Sequence, residues 1–152
     1  MVADDLGIWV AVAVAGYLFG SFPTAYLLVK HFTGKNIFQW GTANVGTVNV
    51  HRATNSKILT LSTLAGDLLK TAVAVLVGVY LARAVGLDEA VGAGVGGIAA
   101  LVGHNYSVFL WFKGGKGLAC SAVLGFYFAP AIVGLWVLAA RRGGASLLSL
   151  ET

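Results

Sequence analysis

The sequence predicts an all-α protein, a polytopic membrane bundle of about five hydrophobic helices that forms one integral membrane domain over residues 1–152. The 152 residues are 58% hydrophobic and only 11% charged, whereas a soluble domain carries about 25% charged residues. Three runs also lack Asp, Glu, Lys and Arg, namely residues 6–29, 90–112 and 117–140. Each run is longer than the ~20 residues that cross a bilayer as a helix.

The first run is expected to be a retained membrane span and not a cleaved signal peptide. A signal peptide carries positive charge before its apolar segment. Here Asp4 and Asp5 occupy that position instead.

A fourth apolar run, residues 58–82, is interrupted by Asp67 and Lys70. Side chains three positions apart lie on the same side of a helix. Ionisable groups inside a span are costly, and they are usually functional or mutually paired. Two interpretations therefore stay open: a self-satisfying pair that orders the bundle, or a pair that serves a site.

Glycines concentrate in the run that follows. A face of small residues lets helices pack closely in a membrane, and we interpret this face in that way. Its members are Gly92, Gly94, Gly96 and Gly97.

The charges of the loops predict the orientation. The segment 30–57 contains four basic residues and no acidic one, the segment 83–89 is mixed, and the third loop carries Lys113 and Lys116. Positively charged loops face the cytoplasm. We therefore expect the first and third loops in the cytoplasm and the N-terminus outside.

The last run needs a further assumption, because one straight span would place Arg141 and Arg142 outside. Pro130 cannot continue a regular helix. We favour two short helices that meet near Ala129 and Pro130 and return both arginines to the cytoplasm. A single span remains the alternative.

Polar motifs follow at the predicted cytoplasmic ends. Ser21 precedes Phe22 and Pro23, and the proline is expected to kink the first span and free backbone carbonyls. The segment 41–49 (GTANVGTVN) combines glycines with amides and hydroxyls. Such a loop can hold a phosphate, although a plain polar loop and a structural kink are the alternative interpretations.

The segment 103–117 carries the most specific pattern. His104 and Asn105 are followed by Phe-Lys-Gly-Gly-Lys-Gly at residues 112–117. Glycine lets backbone N–H groups approach phosphate oxygens, and lysine adds positive charge. A histidine beside such a turn is a candidate for acid–base or phosphate chemistry.

The order of these motifs resembles the bacterial acyl-phosphate:glycerol-3-phosphate acyltransferase family, from about Leu18 to Ser149. The resemblance implies a multi-pass protein of the bacterial inner membrane. It implies transfer of a fatty acyl group from acyl phosphate to the 1-hydroxyl of glycerol 3-phosphate, giving lysophosphatidic acid for phospholipid synthesis. Besides these substrates it implies membrane lipid as a partner, with no nucleic acid, metal or cofactor, and it leaves the oligomeric state open.

Motif position assigns roles by this resemblance. His104, Ser21 and Asn105 would be catalytic, with His104 orienting the hydroxyl or acting as base, although the departing phosphate could instead accept the proton. The active site would face the cytoplasm. The expected phosphate-binding residues are Gly41, Thr42, Asn44, Gly46, Asn49, Lys70, Lys113 and Lys116.

The chain departs from the family pattern at two loop positions. Phe38 stands where the family has an arginine, and phenylalanine cannot supply that bidentate fork. Ala43 replaces a glycine and restricts the loop if its φ is positive. The chain also ends where the family enters its final helices. An inactive or weakened membrane paralogue is therefore the main alternative, and a small transporter built around Asp67 and Lys70 is a third.

Overall fold

The computed structural model describes residues 2–130 and 134, and the predicted all-α membrane bundle is confirmed for this part of the chain. Two short 3-10 turns, Ile37–Gln39 and Val108–Leu110, lie in the loops. The helices in chain order are α1 (Val2–Ser21), α2 (Thr24–Thr33), α3 (Thr47–Thr54), α4 (Lys57–Ala84), α5 (Glu89–Asn105) and α6 (Leu118–Phe128).

Among the described residues, two segments are long and apolar enough to cross a membrane. They are Asp5–Thr33, which joins α1 and α2, and α4. Large apolar side chains such as Val10, Leu69 and Leu76 remain exposed along them. Exposed apolar surface on this scale is suited to lipid.

The predicted kink in the first span is confirmed. Helix α1 ends at Ser21 and α2 begins at Thr24, with Pro23 between them. The two carbonyls at the break find side-chain donors. Lys70 Nζ donates to Phe22 O at 3.0 Å, and Ser107 Oγ donates to Ser21 O at 2.5 Å. The kink thus joins the first span to α4 and to the loop after α5.

The span expected over residues 90–112 is wrong at its C-terminal end, because α5 stops at Asn105. The residues that follow form a turn in which Leu110 N and Phe112 N both bond to Ser107 O. Trp111 and Phe112 adopt positive φ values of 54° and 59°. This conformation is incompatible with a right-handed helix, so the apolar run continues as a loop.

Small residues set the spacing of α1, α4 and α5. A Cβ added to Gly16 would meet the carbonyl of Gly96, and a Cβ on Gly78 or Gly92 would overlap the carbonyl of the other. Backbones approach this closely only where side chains are absent. Gly94 instead has ordinary space beside an aromatic ring. The predicted small-residue face is therefore confirmed at Gly92 and Gly96, which meet neighbouring backbones, and at Gly97, where an added Cβ would overlap the Leu124 side chain.

The break expected near Ala129 is present, because α6 ends at Phe128. The predicted return helix would need residues 131–133 and 135–140, and these lie outside the described residues, as do Arg141 and Arg142.

Candidate active site

A buried charged cluster lies beside the kink of the first span. Lys70 Nζ is 2.9 Å from Asp67 Oδ1, and His104 Nδ1 is 3.5 Å from the same oxygen. The side chains of Asp67, Lys70 and His104 are 3%, 9% and 5% exposed. Asp67 and Lys70 are therefore paired with each other, and Asp67 also contacts the histidine of α5.

The kink side of this cluster encloses little space. A cavity of about 10 Å³ lies between Ser21, Lys70, His104 and Ser107, which is room for no more than one water molecule. Ser21 Oγ and His104 Nδ1 are buried there without a hydrogen-bond partner among the described residues. No phosphorylated ligand fits on this side of the cluster.

A larger cavity opens on the other side of Asp67 and His104, with a volume of about 330 Å³. We call it the main cavity. One wall is apolar and contains Leu64 of α4 and Leu118 of α6. The rest of the lining is mainly polar. It includes two members of the charged cluster, Asp67 and His104. The other residues are Thr42, Asn44, Gly46, Thr47, Asn49, Arg52 and Lys116.

The loop 41–49 is held in shape by one side chain. Asn49 is 2% exposed, and its Oδ1 accepts a hydrogen bond from Thr42 N at 3.1 Å. Its Nδ2 donates to Asn44 O at 2.9 Å and to Ile37 O at 3.3 Å. Because these three bonds join the side chain to the backbone of Ile37, Thr42 and Asn44, Asn49 shapes the loop from within.

Helix α3 begins at the cavity wall. Gly46 is its N-cap, and Gly46, Thr47 and Val48 all line the main cavity. The first N–H groups of a helix have no acceptor within the helix, and they favour anions. The side-chain Oδ1 of Asn44, also in this wall, is buried without a hydrogen-bond partner among the described residues.

The Lys-Gly-Gly-Lys turn is folded tightly over the end of α5. Gly115 N donates to His104 O at 2.9 Å, and a Cβ on Gly115 would overlap the His104 imidazole. Only glycine allows this approach. The turn sends its two lysines to different places: Lys116 lines the main cavity, whereas Lys113 does not.

Lys113 and Phe38 share a separate cavity of about 310 Å³. Lys113 Nζ lies 5.7 Å from the centroid of the Phe38 ring, which is within cation–π range. Tyr26 packs against the same ring at a centroid distance of 6.0 Å. We call this space the aromatic cavity, since Phe109 and Trp111 also line it.

The structure thus brings together part of the predicted set. Ser21 and Lys70 lie on the small cavity and Lys113 on the aromatic cavity. Gly41 and Asn105 line none of the three cavities described. The predicted residues that share the main cavity are Thr42, Asn44, Gly46, Asn49, His104 and Lys116.

Sequence reasoning missed Arg52, which lines the main cavity. The available signal was its position three residues after Asn49, which places both on one face of a helix. Among the described residues, no group of three or more His, Cys, Asp and Glu side chains could hold a metal ion.

The described residues thus form a kinked helical bundle whose main cavity has both polar and apolar lining. The model of the glycerol-3-phosphate acyltransferase family matches residues 10–143, and the chain belongs to this family.

Curated relatives agree with this assignment. A glycerol-3-phosphate acyltransferase of Clostridioides difficile (strain 630) is 38% identical over 113 residues, which cover 74% of this chain and 55% of that protein. One of Rhodopseudomonas palustris (strain BisB5) is 37% identical over 148 residues, covering 95% and 72%. One of Rhodospirillum rubrum is 45% identical over 121 residues, covering 78% and 55%. The chain therefore spans between about half and three quarters of these relatives.

The fold resembles a solved structure of the same family. PlsY (YgiH), described as an integral membrane glycerol 3-phosphate acyltransferase, matches in its glycerol 3-phosphate form with a TM-score of 0.68 and 29% identity. The match covers 86% of this chain and 62% of PlsY. Its lysophosphatidic acid form matches with a TM-score of 0.66.

Proposed function

We propose that this chain transfers a fatty acyl group from acyl phosphate to the 1-hydroxyl of glycerol 3-phosphate, giving lysophosphatidic acid. The carrying observation is the main cavity, where His104, Lys116 and the start of α3 meet beside an apolar wall. The glycerol 3-phosphate and lysophosphatidic acid forms of PlsY support the same acceptor and product. Membrane lipid surrounds the bundle and supplies the medium for the acyl chain.

The reaction needs positioning more than covalent help from the protein. The glycerol oxygen forms a bond to the acyl carbon, and the bond from that carbon to the phosphate oxygen breaks. Lys116 and the N–H groups at the start of α3 would hold phosphate charge. The apolar wall at Leu64 and Leu118 would admit the chain. Holding both substrates in one cavity removes much of the entropic barrier.

His104 is the proposed group for the acceptor hydroxyl. Its ring lies at the floor of the main cavity, with Nδ1 facing Asp67 and the opposite edge under Gly115. Asp67 and Gly115 therefore lie against opposite edges of the ring. His104 would orient the hydroxyl and either accept its proton or pass it to the departing phosphate.

We propose the inner membrane of a bacterium as the location, with the N-terminus outside and the main cavity on the cytoplasmic side. The first and third loops contain basic residues and no acidic ones, and both contribute to the main cavity at one end of the bundle. The positive-inside rule assigns that end to the cytoplasm.

The direct test is acyl transfer from palmitoyl phosphate to radiolabelled glycerol 3-phosphate by the purified chain in lipid. We expect lysophosphatidic acid from the wild type and a loss of roughly 100-fold or more in His104→Ala, since general acid–base groups contribute about that much. Lys116→Ala should raise the KM for glycerol 3-phosphate, because a charged contact is lost. A folded wild-type protein that forms no product would refute the proposal.

A non-catalytic paralogue is the second candidate, and Phe38 is the observation that favours it. The ring of Phe38 occupies the aromatic cavity where the family pattern predicts a guanidinium. Phe38→Arg in an inactive wild type would separate the possibilities. A large gain of acyl transfer would identify a damaged catalyst, whereas no gain would favour the non-catalytic role.

A further inference from the structure

We propose that the small cavity beside the kink is a binding site for one water molecule, which joins Ser21 Oγ to His104 Nδ1. Through this water, Ser21 is a positioning residue for His104 and not a contact of the substrate. The water site follows from the geometry of the buried cluster, whereas its effect on acyl transfer rests on the proposed function of His104.

The small cavity has the size and the lining that a single water molecule requires. Its volume of about 10 Å³ matches the space that one water occupies. Ser21, Asp67, Lys70 and His104 all line it. A buried water makes about three hydrogen bonds to polar groups, and these four side chains can supply them.

Two polar atoms of this lining call for a bridging group. Ser21 Oγ and His104 Nδ1 are buried without a hydrogen-bond partner among the described residues, so they are not bonded to each other. Ser21 and His104 are 1% and 6% exposed as whole residues. Buried polar atoms left unpaired are costly, and a bridging water satisfies them nearly as well as a direct hydrogen bond.

The backbone holds Ser21 close to His104. A Cβ on Gly103, the residue before His104, would lie 2.8 Å from Ser21 N and 3.0 Å from Ser21 Oγ. Ser107 Oγ donates to Ser21 O at 2.5 Å. Ser21 is therefore anchored both to the end of α5 and to the loop that follows, and the two atoms that the water joins are held in place.

The charged pair orients the water. The Lys70 ammonium has three N–H donors, of which two point to Asp67 Oδ1 and Phe22 O. The third can be donated to the water. His104 Nδ1 faces the Asp67 carboxylate, which favours a proton on Nδ1, so Nδ1 also donates to the water. The water then donates to Ser21 Oγ. When the ring is neutral, this leaves Nε2 as the nitrogen that can accept a proton.

A crystal structure of the full chain, grown in a lipidic mesophase at a resolution that shows ordered water, tests the site directly. We expect one water within about 2.7–3.2 Å of both Ser21 Oγ and His104 Nδ1. The ¹⁵N NMR spectrum of the chain in lipid, with the His104 signals assigned by comparison with His104→Gln, should show a proton on Nδ1. A cavity without ordered water, a direct bond between Ser21 and His104, or an Nδ1 without a proton would overturn the inference.

Ser21→Ala separates positioning from substrate contact. Loss of the hydroxyl should lower kcat for acyl transfer roughly tenfold, a part of what a general acid–base group contributes, and leave both KM values within about twofold. Ser21→Thr, which keeps a hydroxyl, should retain most of kcat. Ser62→Ala is the matched control, because Ser62 is exposed on α4 and does not line the small cavity, and it should change neither constant.

The outcomes distinguish this inference from the proposed function. A raised KM with an unchanged kcat in Ser21→Ala would overturn the inference, because it would identify Ser21 as a substrate contact. Ordered water in a wild type that forms no lysophosphatidic acid would refute the proposed reaction and leave the water site intact. Acyl transfer by a chain that holds no water there would refute the water site alone.

Discussion

Ala43 has the backbone conformation of a glycine. Its φ of 52° lies in the left-handed region, where a Cβ costs about 1–2 kcal/mol. Alanine was expected to restrict the loop if its φ is positive, and the observed φ meets that condition. The strain is located in the loop that forms one wall of the main cavity.

Ala43→Gly should raise the free energy of unfolding by about 1 kcal/mol, because the strain disappears. Thermal unfolding in detergent would measure this as a higher Tm. Ala65→Gly, an exposed position within α4, is the matched control, since the same change in a helix should lower stability by about 1 kcal/mol. Equal shifts of one sign in both variants would contradict the assignment of strain.

Lys70 illustrates what position in a motif cannot decide. Its place in the sequence indicated a phosphate contact, but its ammonium is buried between Asp67 Oδ1 and Phe22 O. We expect Lys70→Met to lower the free energy of unfolding by roughly 3 kcal/mol, because the carboxylate loses its partner. Lys116→Met, whose side chain is exposed at the main cavity, should leave the Tm near that of the wild type. Comparable losses of unfolding free energy in both variants would show that Lys70 stabilises the fold no more than Lys116 does.

At the scale of helices, close packing depends on which glycines meet a backbone. Gly96 faces the carbonyl of Ala74, while Gly94 has a phenylalanine ring at 3.7 Å from its ideal Cβ. We expect Gly96→Ala to cost about 1–3 kcal/mol, because the helices must separate. Gly94→Ala should be neutral or slightly stabilising, since alanine favours a helix. Chemical unfolding of the two variants side by side measures the difference, and equal losses would refute this packing.

Helix ends could be predicted from the sequence where charged residues mark them. Lys57 and Arg83 fall at the ends of α4, and the kink at Pro23 followed from the missing N–H of proline. The end of α5 was missed because residues 106–112 are as apolar as a helix would be. The turn there depends on bonds to Ser107 O and on the contact of Ser107 with the kink, which are long-range and invisible to hydropathy.

The same limit applies to the candidate site. The order of motifs predicted that His104 and Lys116 would meet the loop 41–49, and they share the main cavity. The order of motifs did not show that Lys113 and Lys116 line different cavities. Their directions depend on how Gly114 and Gly115 pack against the end of α5. Arg52 was not predicted as a site residue. Its position on the same helix face as Asn49 is evident only once residues 47–54 are known to form a helix.

For the whole molecule, the orientation proposed above can be tested with cysteines at opposite ends of α4. In intact cells, Ala84→Cys should react with a membrane-impermeant maleimide, whereas Lys57→Cys should react only after permeabilisation. Both positions are exposed, and the native Cys120 is buried, so it gives little background. Labelling of Lys57→Cys in intact cells would reverse the proposed orientation.

The pairing of Asp67 with Lys70 also bears on how the protein is made. Both residues belong to α4, one turn apart, so their ion pair forms within a single helix. Membrane helices can insert individually before they associate, and unpaired charges oppose insertion. During synthesis, α4 therefore enters the bilayer with Asp67 and Lys70 already paired, before His104 has been added to the chain. Separating the partners onto different helices would leave each nascent segment to enter lipid with an uncompensated charge.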